Sequence, residues 1–252
     1  FETYRYYEPV SHGVNFDGMV EDLKRAQTGD VVLLHGCCHN PCGADLSLEQ
    51  WGVVADMAEA QGFVPFVDIA YQGLGDGLEE DAAGLRLLAE RVPEMIIAAS
   101  CSKNMGLYRE RTGAVMFVCQ DRANAEALVS QALVAARRVY SMPPAHGALI
   151  AGRILSDQAL DEIWRTELVD MCGRMNGLRT GLREKLEAAS SRDFAFIEKE
   201  KGMFSFLGLS TKQAIRLREE YSVYMLDSSR INVAGVNARN IDYLAQSVAS
   251  VL

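Results

Sequence analysis

Short apolar runs alternate with amphipathic stretches through the first half of this chain. That alternation restricts it to α/β units in which parallel strands are joined by helices. Val31-Val32-Leu33-Leu34 has the composition of a buried strand. Ser47-Leu48-Glu49-Gln50 follows as a capping box, predicting a helix that runs through Met57 and Ala60 toward Gly62. A second strand is expected over Phe63 to Ile69. Leu85, Leu87 and Leu88 give Glu80 to Arg91 a helical spacing, a third strand covers Met95 to Ala99, and a fourth at Ala114 to Cys119 turns back in a hairpin-like return. The opening Phe1-Glu2-Thr3-Tyr4-Arg5-Tyr6-Tyr7 alternates aromatic and polar residues as a strand does.

From Asp121 the character changes. A helix is expected to about Arg138, a break at Pro143-Pro144, and another helix from Ala145 to Leu155. Leu160, Ile163, Trp164, Leu168, Met171, Met175, Leu178, Leu182 and Leu186 then recur mostly at steps of three and four, which predicts one long amphipathic helix suited to joining two domains. Beyond Ser190 the expected order is strand (Phe194 to Ile197), strand (Met203 to Leu207), helix (Thr211 to Tyr221), strand (Val223 to Leu226), strand (Ile231 to Val233) and a closing helix from Asn237. This divides the chain into residues 1–156, part of a mainly parallel-sheet domain, and 157–252, the long helix with a small α+β domain.

Composition excludes several functions. With 252 residues, 49% hydrophobic and 23% charged, the chain has the makings of a folded core. Its net charge of -9 and the lack of any Lys/Arg-rich block remove the electrostatic footprint of a nucleic-acid binder. No apolar run reaches membrane-spanning length, so no membrane partner is expected. Six irregularly spaced cysteines in a chain of this size fit reduced thiols in a cytoplasm better than a disulfide scaffold.

In open parallel sheets, ligands sit outside the carboxyl ends of the strands. The first strand ends in His35-Gly36-Cys37-Cys38-His39-Asn40-Pro41-Cys42-Gly43, the second in Asp68-Ile69-Ala70-Tyr71, the third in Ser100-Cys101-Ser102-Lys103. His35, His39 and the cysteines beside them invite a zinc reading, but structural zinc takes two separated ligand pairs and no second pair lies downstream. No metal is expected. Asp68 alone is the turn residue and Lys103 alone the solvated lysine. Together with Ser100, Ser102 and Arg111 they form the set a pyridine-ring cofactor requires: a carboxylate for the ring nitrogen, an amine for the aldehyde, hydroxyls and a guanidinium for the phosphate.

Five motifs in succession carry a resemblance. They are Asn40-Pro41-x-Gly43, Asp68-x-Ala70-Tyr71-Gln72-Gly73, Ser100-x-Ser102-Lys103-Asn104-x-Gly106-Leu107-Tyr108-x-Glu110-Arg111, Tyr140-Ser141-x-Pro143-Pro144-x-His146-Gly147 and Ser229-Arg230-Ile231-Asn232-x-Ala234-Gly235. In order and spacing the chain resembles class I pyridoxal-phosphate-dependent aminotransferases of the aspartate/aromatic subgroup, across essentially its whole length. The resemblance implies a fold-type I α/β architecture and a ping-pong transfer of an amino group to a 2-oxo acid such as 2-oxoglutarate.

The same resemblance implies a role for each residue. Lys103 becomes the Schiff-base lysine and proton shuttle, and Asp68 the partner of the pyridinium nitrogen. Asn40 and Tyr71 bind the ring's phenolic oxygen; Ser100, Ser102 and Arg111 bind the phosphate. Arg230 clamps the substrate α-carboxylate, with Asn40 beside it. Arg137, rather than Arg138, reaches a dicarboxylate side chain in the neighbouring subunit of a homodimer. A cis Asn40-Pro41 bond is also implied. Cys42 stands where most relatives have Thr, and Cys101 where an aromatic is frequent.

The segment Asp68 to Asp81 and the run His35 to Asn40 are more similar to bacterial aromatic-amino-acid enzymes than to strict aspartate enzymes, so dual aromatic and dicarboxylic specificity is expected. The family's N-terminal arm, Gly-rich phosphate loop and ring-stacking Trp are not found before Phe1. The chain is therefore expected to be the second part of the large domain plus the small domain, inactive by itself. The alternatives are a related fold-type I lyase and a non-enzymatic fragment.

Overall fold

The computed structural model describes all residues from Phe1 to Leu252. An antiparallel pair, β1 (Tyr7–Glu8) and β2 (Gly13–Val14), opens the chain and is followed by helix α1 (Phe16–Leu23). The main sheet then assembles from β3 (Val31–His35), β4 (Val64–Ile69), β5 (Met95–Ser100) and β6 (Gly113–Val118) in that order. The first three strands are parallel and β6 is antiparallel to β5, as the hairpin-like return anticipates. Helix α2 (Leu48–Gln61) links β3 to β4, and α3 (Ala83–Arg91) links β4 to β5.

Local chemistry sets these boundaries. In α2 the Ser47 side chain accepts from Gln50 N while the Gln50 side chain accepts from the Ser47 backbone, and Gly62 ends the helix at φ 76°, a left-handed conformation that costs glycine little. One face of the sheet packs Leu34, Val67 and Ile97 against Trp51, Val54, Ala55 and Leu88. The other face leaves Val31, Leu33 and Val115 exposed. Alternation along β3 shows this directly, with Val32 and Leu34 buried between exposed neighbours.

Helices α4 (Arg122–Tyr140) and α5 (His146–Ser156) lead into α6 (Gln158–Ala189). No residue of α4 is buried. Along α6 the buried residues are Leu168, Cys172, Met175, Arg179, Leu182 and Leu186, the stripe of a helix with one face inward. Leu168 belongs to the core under the main sheet; Met175, Leu182 and Leu186 belong to a second core with Phe194, Ile197, Leu207, Leu217 and Val248. That core is enclosed by α7 (Phe196–Lys199), the antiparallel pair β7 (Phe204–Phe206) and β8 (Arg230–Asn232), α8 (Thr211–Tyr221) and α9 (Ile241–Val251).

Several sequence expectations are corrected. Residues 1–6 form no strand: the Tyr4 and Tyr6 hydroxyls donate to Leu33 O (2.6 Å) and Ala44 O (2.9 Å), so these side chains pin a loop instead of lining a ladder. Helix α1 was not expected; Asn15 caps it by accepting from Gly18 N. The apolar run 194–197 enters a short helix, because a run that brief lacks the length that separates strand from helix. Residues 223–226 form no strand, since Val223 N is taken by Leu217 O in closing α8. β8 starts at Arg230 and gives way to a 3-10 turn at Val233–Gly235. The closing helix begins at Ile241 rather than Asn237, and α3 at Ala83 rather than Glu80.

Candidate active site

Strand register brings the suspected groups to one edge. His35 lies opposite Asp68, Asp68 opposite Ala98, and Ser100 opposite Gly113, so β3, β4 and β5 end flush and their loops leave side by side.

The loop after β3 is held from several directions. Gly36 N donates to Asp68 O (2.8 Å), and the Asp45 carboxylate accepts from Cys38 N (2.6 Å) and His39 N (2.8 Å). His39 is stacked between Tyr6 (4.0 Å between centroids) and His35 (4.3 Å). Burial, with His35 as a like-charged neighbour, pushes the His39 imidazole down to about 3, so it is neutral at physiological pH. Asn40 N donates to His35 Nδ1 (3.3 Å), and the Asn40-Pro41 peptide is cis, as expected.

The loop after β5 is a tight turn. Ser102 N donates to Ser100 Oγ (3.1 Å), Gly106 N returns to Lys103 O (3.2 Å), and Gly106 takes φ 67°. Asn104, next to Lys103, is fixed twice: its Nδ2 donates to Gln72 O (3.2 Å), and its carbonyl accepts from Trp164 Nε1 of α6 (2.8 Å). Lys103 Nζ consequently lies 4.7 Å from the Tyr71 ring centroid. Arg111, also at positive φ, donates to Tyr108 O (3.1 Å). Ser102 is buried, whereas Asp68 and Arg111 are exposed.

A further piece comes from the second core. Tyr71 meets Phe204 edge-on (6.3 Å, 84°), and the Arg230 guanidinium lies 3.9 Å above the Phe204 ring. Burial raises the Tyr71 phenol, and the Arg230 charge opposes that rise, so the two groups share one electrostatic environment. The edge thus gathers Asn40, Asp68, Tyr71, Ser100, Ser102, Lys103, Arg111 and, through Phe204, Arg230. It does not gather Arg137, which is exposed in the last turn of α4 beside Arg138.

Phe204 and the groups that hold it were not singled out from the sequence. Arg179 is 1% exposed; its Nη1 donates to Ile197 O (2.9 Å) and its Nη2 to Gly202 O (2.7 Å) and Phe204 O (2.8 Å). Glu200 Oε2 lies 3.5 Å from that guanidinium and accepts from the Ser205 hydroxyl. Burial pushes the Glu200 carboxyl up to about 8, against the opposing pull of Ser205 and Arg179. A signal existed: an arginine at a position where the α6 stripe calls for an apolar residue.

The zinc question takes a different form. Cys37, Cys38 and Asp81 bring ligand atoms within 4.8 Å of one another, while His35 and His39 stack on each other. Asp81 spends its oxygens on Gly73 N, Gly75 N and Asp76 N, and the Cys38 thiol is pushed well up by Cys37 and by burial. These are structural ties of the loop after β4.

The sequence profile described as aminotransferase class I and II matches residues 1–248. The chain belongs to this family. Among curated aminotransferases it is 48% identical to the aromatic-amino-acid aminotransferase of Paracoccus denitrificans, over 99% of this chain and 64% of that protein. It is likewise 48% identical to the aspartate aminotransferase of Escherichia coli K12, over 99% of this chain and 63% of the relative. A solved aromatic-amino-acid aminotransferase from Burkholderia pseudomallei, covalently bound to pyridoxal phosphate, superposes with a TM-score of 0.97 at 43% identity, covering 99% of this chain and 63% of that one. The mainly parallel α/β sheet is thus the fold-type I arrangement of these aminotransferases. The chain spans under two thirds of the length of these aminotransferases.

Proposed function

We propose that this chain supplies the lysine, the ring-nitrogen partner and the carboxylate clamp of a pyridoxal-5'-phosphate-dependent aminotransferase acting on aromatic and dicarboxylic amino acids, with a 2-oxo acid such as 2-oxoglutarate as acceptor. The observation that carries the reading is the flush strand edge, where Asp68, Tyr71 and Lys103 face a guanidinium held by Phe204. The cofactor fits the donor set. The ion pairs nearest this edge, His146–Glu110, Lys201–Asp76 and Arg179–Glu200, use none of Lys103, Asp68, Arg111 or Arg230.

When bound, pyridoxal 5'-phosphate supplies an electron sink for the pair released when a substrate Cα–H bond breaks. Lys103 would hold the cofactor through its Nζ and, as a free amine beside the substrate, would take the proton from the substrate Cα. Asp68 holds a proton on the ring nitrogen, because a carboxylate beside a basic nitrogen favours its charged form. Asn40 and Tyr71 donate to the phenolic oxygen. Ser100, Ser102 and Arg111 bind the phosphate, the guanidinium as a planar fork.

Arg230 grips the α-carboxylate shared by all amino-acid substrates, with Asn40 beside it. Arg137 serves a site in a second subunit, where it meets the side-chain carboxylate of aspartate or glutamate. Support for a homodimer comes from α4, whose Leu133 and Val139 lie open and whose length carries no buried residue. No helix is long and apolar enough to cross a membrane, and we assign the protein to the cytoplasm. The test is Lys103→Ala in the cofactor-loaded protein. It is expected to abolish the visible absorption of the covalent linkage while cofactor bound through its phosphate remains, and an unchanged spectrum would sink the reading.

A further inference from the structure

One face of α6 carries polar residues at helical spacing: Cys172, Asn176, Arg179 and Arg183. Cys172 Sγ (3.3 Å) and Asn176 Nδ2 (3.1 Å) both donate to Gly75 O, in the loop after β4. A turn further on, Arg179 donates to the carbonyls of Ile197, Gly202 and Phe204. The helix therefore ties the Tyr71 side of the molecule to the segment that carries Phe204.

The segment 197–204 is also closed against the loop bearing Asn40. Lys201 N donates to Gly43 O (2.7 Å). A Cβ on Gly202 would come within 2.4 Å of Cys38 Cβ, and one on Gly43 within 2.7 Å of Phe204 O, so the two backbones touch with no room between them. Phe204 then passes the position on, since its ring supports Arg230 and its partner strand β8 begins with that arginine. A neutral-leaning Glu200 leaves the Arg179 charge to be met chiefly by carbonyl oxygens.

We propose that Arg179 is a positioning residue for the substrate-carboxylate arginine: by gathering three carbonyls of segment 197–204 onto α6 it sets where Phe204, and with it Arg230, stands relative to Asn40 and Tyr71. This rests on the reading of Arg230 as the carboxylate clamp. A buried guanidinium suits the task because its planar fork fixes several oxygens at once, whereas an ammonium at the same depth is a point charge.

The test measures affinity for 3-indolepropionate, which offers a carboxylate but no amine to transfer, by titrating the absorption of the cofactor-loaded protein. Thermal midpoint and cofactor content are followed in parallel. Arg179→Lys is expected to weaken binding about ten-fold or more, the loss expected when a charge-assisted bond is misplaced, with cofactor content unchanged. Arg183→Ala removes the neighbouring pair with Glu198 and tests mere stability, so its affinity should stay within about two-fold of the parent. Unchanged affinity in Arg179→Lys, or an equal loss in Arg183→Ala, overturns the proposal. If Arg179→Lys does not fold, Glu200→Gln keeps the side-chain shape and should lose about three-fold by weakening one hydrogen bond of the cluster; no loss there overturns it. Arg230→Ala separates the two readings: if it binds 3-indolepropionate as the parent does, the clamp assignment itself fails.

Discussion

His39 is uncharged at neutral pH because it is sandwiched between Tyr6 and His35 and shielded from water. A base whose folded value is lowered from 6.5 to about 3 binds fewer protons in the folded state between those limits, so its contribution to stability is present above about 6.5 and lost as pH falls. Asp45, raised to about 6 by burial, acts in the opposite sense: its contribution is present at low pH and lost as pH rises through that value. The His39 contribution alone should fall by on the order of 2 kcal/mol between pH 7.5 and pH 5, while Asp45 and Glu200, both raised by burial, pull the total the other way. His39→Phe keeps an aromatic in the stack and removes that contribution, so in urea titrations its stability relative to the parent should rise as pH is lowered; parallel pH profiles in parent and variant would refute the assignment.

The two arginines proposed to read substrate carboxylates make separable predictions. In a full-length enzyme that carries this segment, Arg230→Lys replaces a fork with a point charge against a group common to every substrate, so turnover should drop for aspartate and phenylalanine alike. Arg137→Ala should reduce aspartate turnover far more than phenylalanine turnover, and equal losses would make Arg137 structural. Asp68, Lys103 and Arg230 were legible in the sequence because each stands at an apolar strand's end or start within a motif. Phe204 was not, since it looks like an ordinary core aromatic; Arg179 left only the trace of a charged residue on the apolar stripe of α6, whose meaning its burial reveals.

At the scale of elements, legibility follows how much of the signal is local. Helices α2 and α8 both open on capping boxes, Ser47 with Gln50 and Ser210 with Gln213, and the N-terminal boundary of each is set within a single turn. Ser47→Ala is therefore expected to cost about 1 kcal/mol. Urea unfolding should show a lower midpoint at unchanged slope, whereas a changed slope would mean the denatured or native state had itself altered. The runs 194–197 and 223–226 are too short for periodicity to separate strand from helix or loop, and tertiary packing decides them: Phe194, just ahead of α7, and Ile197 within it fill the second core, and Val223 closes α8.

Across the whole molecule, the sequence could place two apolar groupings but not the face each would leave open. β3 is apolar at Val31, Val32, Leu33 and Leu34, yet only Val32 and Leu34 are buried. Alternation along a continuously apolar strand is invisible before the layers are known. The two cores share one stiff member, α6, with Leu168 in the first and Leu186 in the second. At 1.5 Å per residue those anchors stand roughly 27 Å apart along the helix axis. A lever of that length turns a tilt of about 5° at Leu168 into a swing of roughly 2 Å at the far core, which exceeds the range over which a hydrogen bond keeps its geometry. The close approaches of Gly43 to Phe204 and of Gly202 to Cys38 leave no slack for such a swing, so α6 serves as a rigid spacer that keeps Arg230 at one distance from the strand edge.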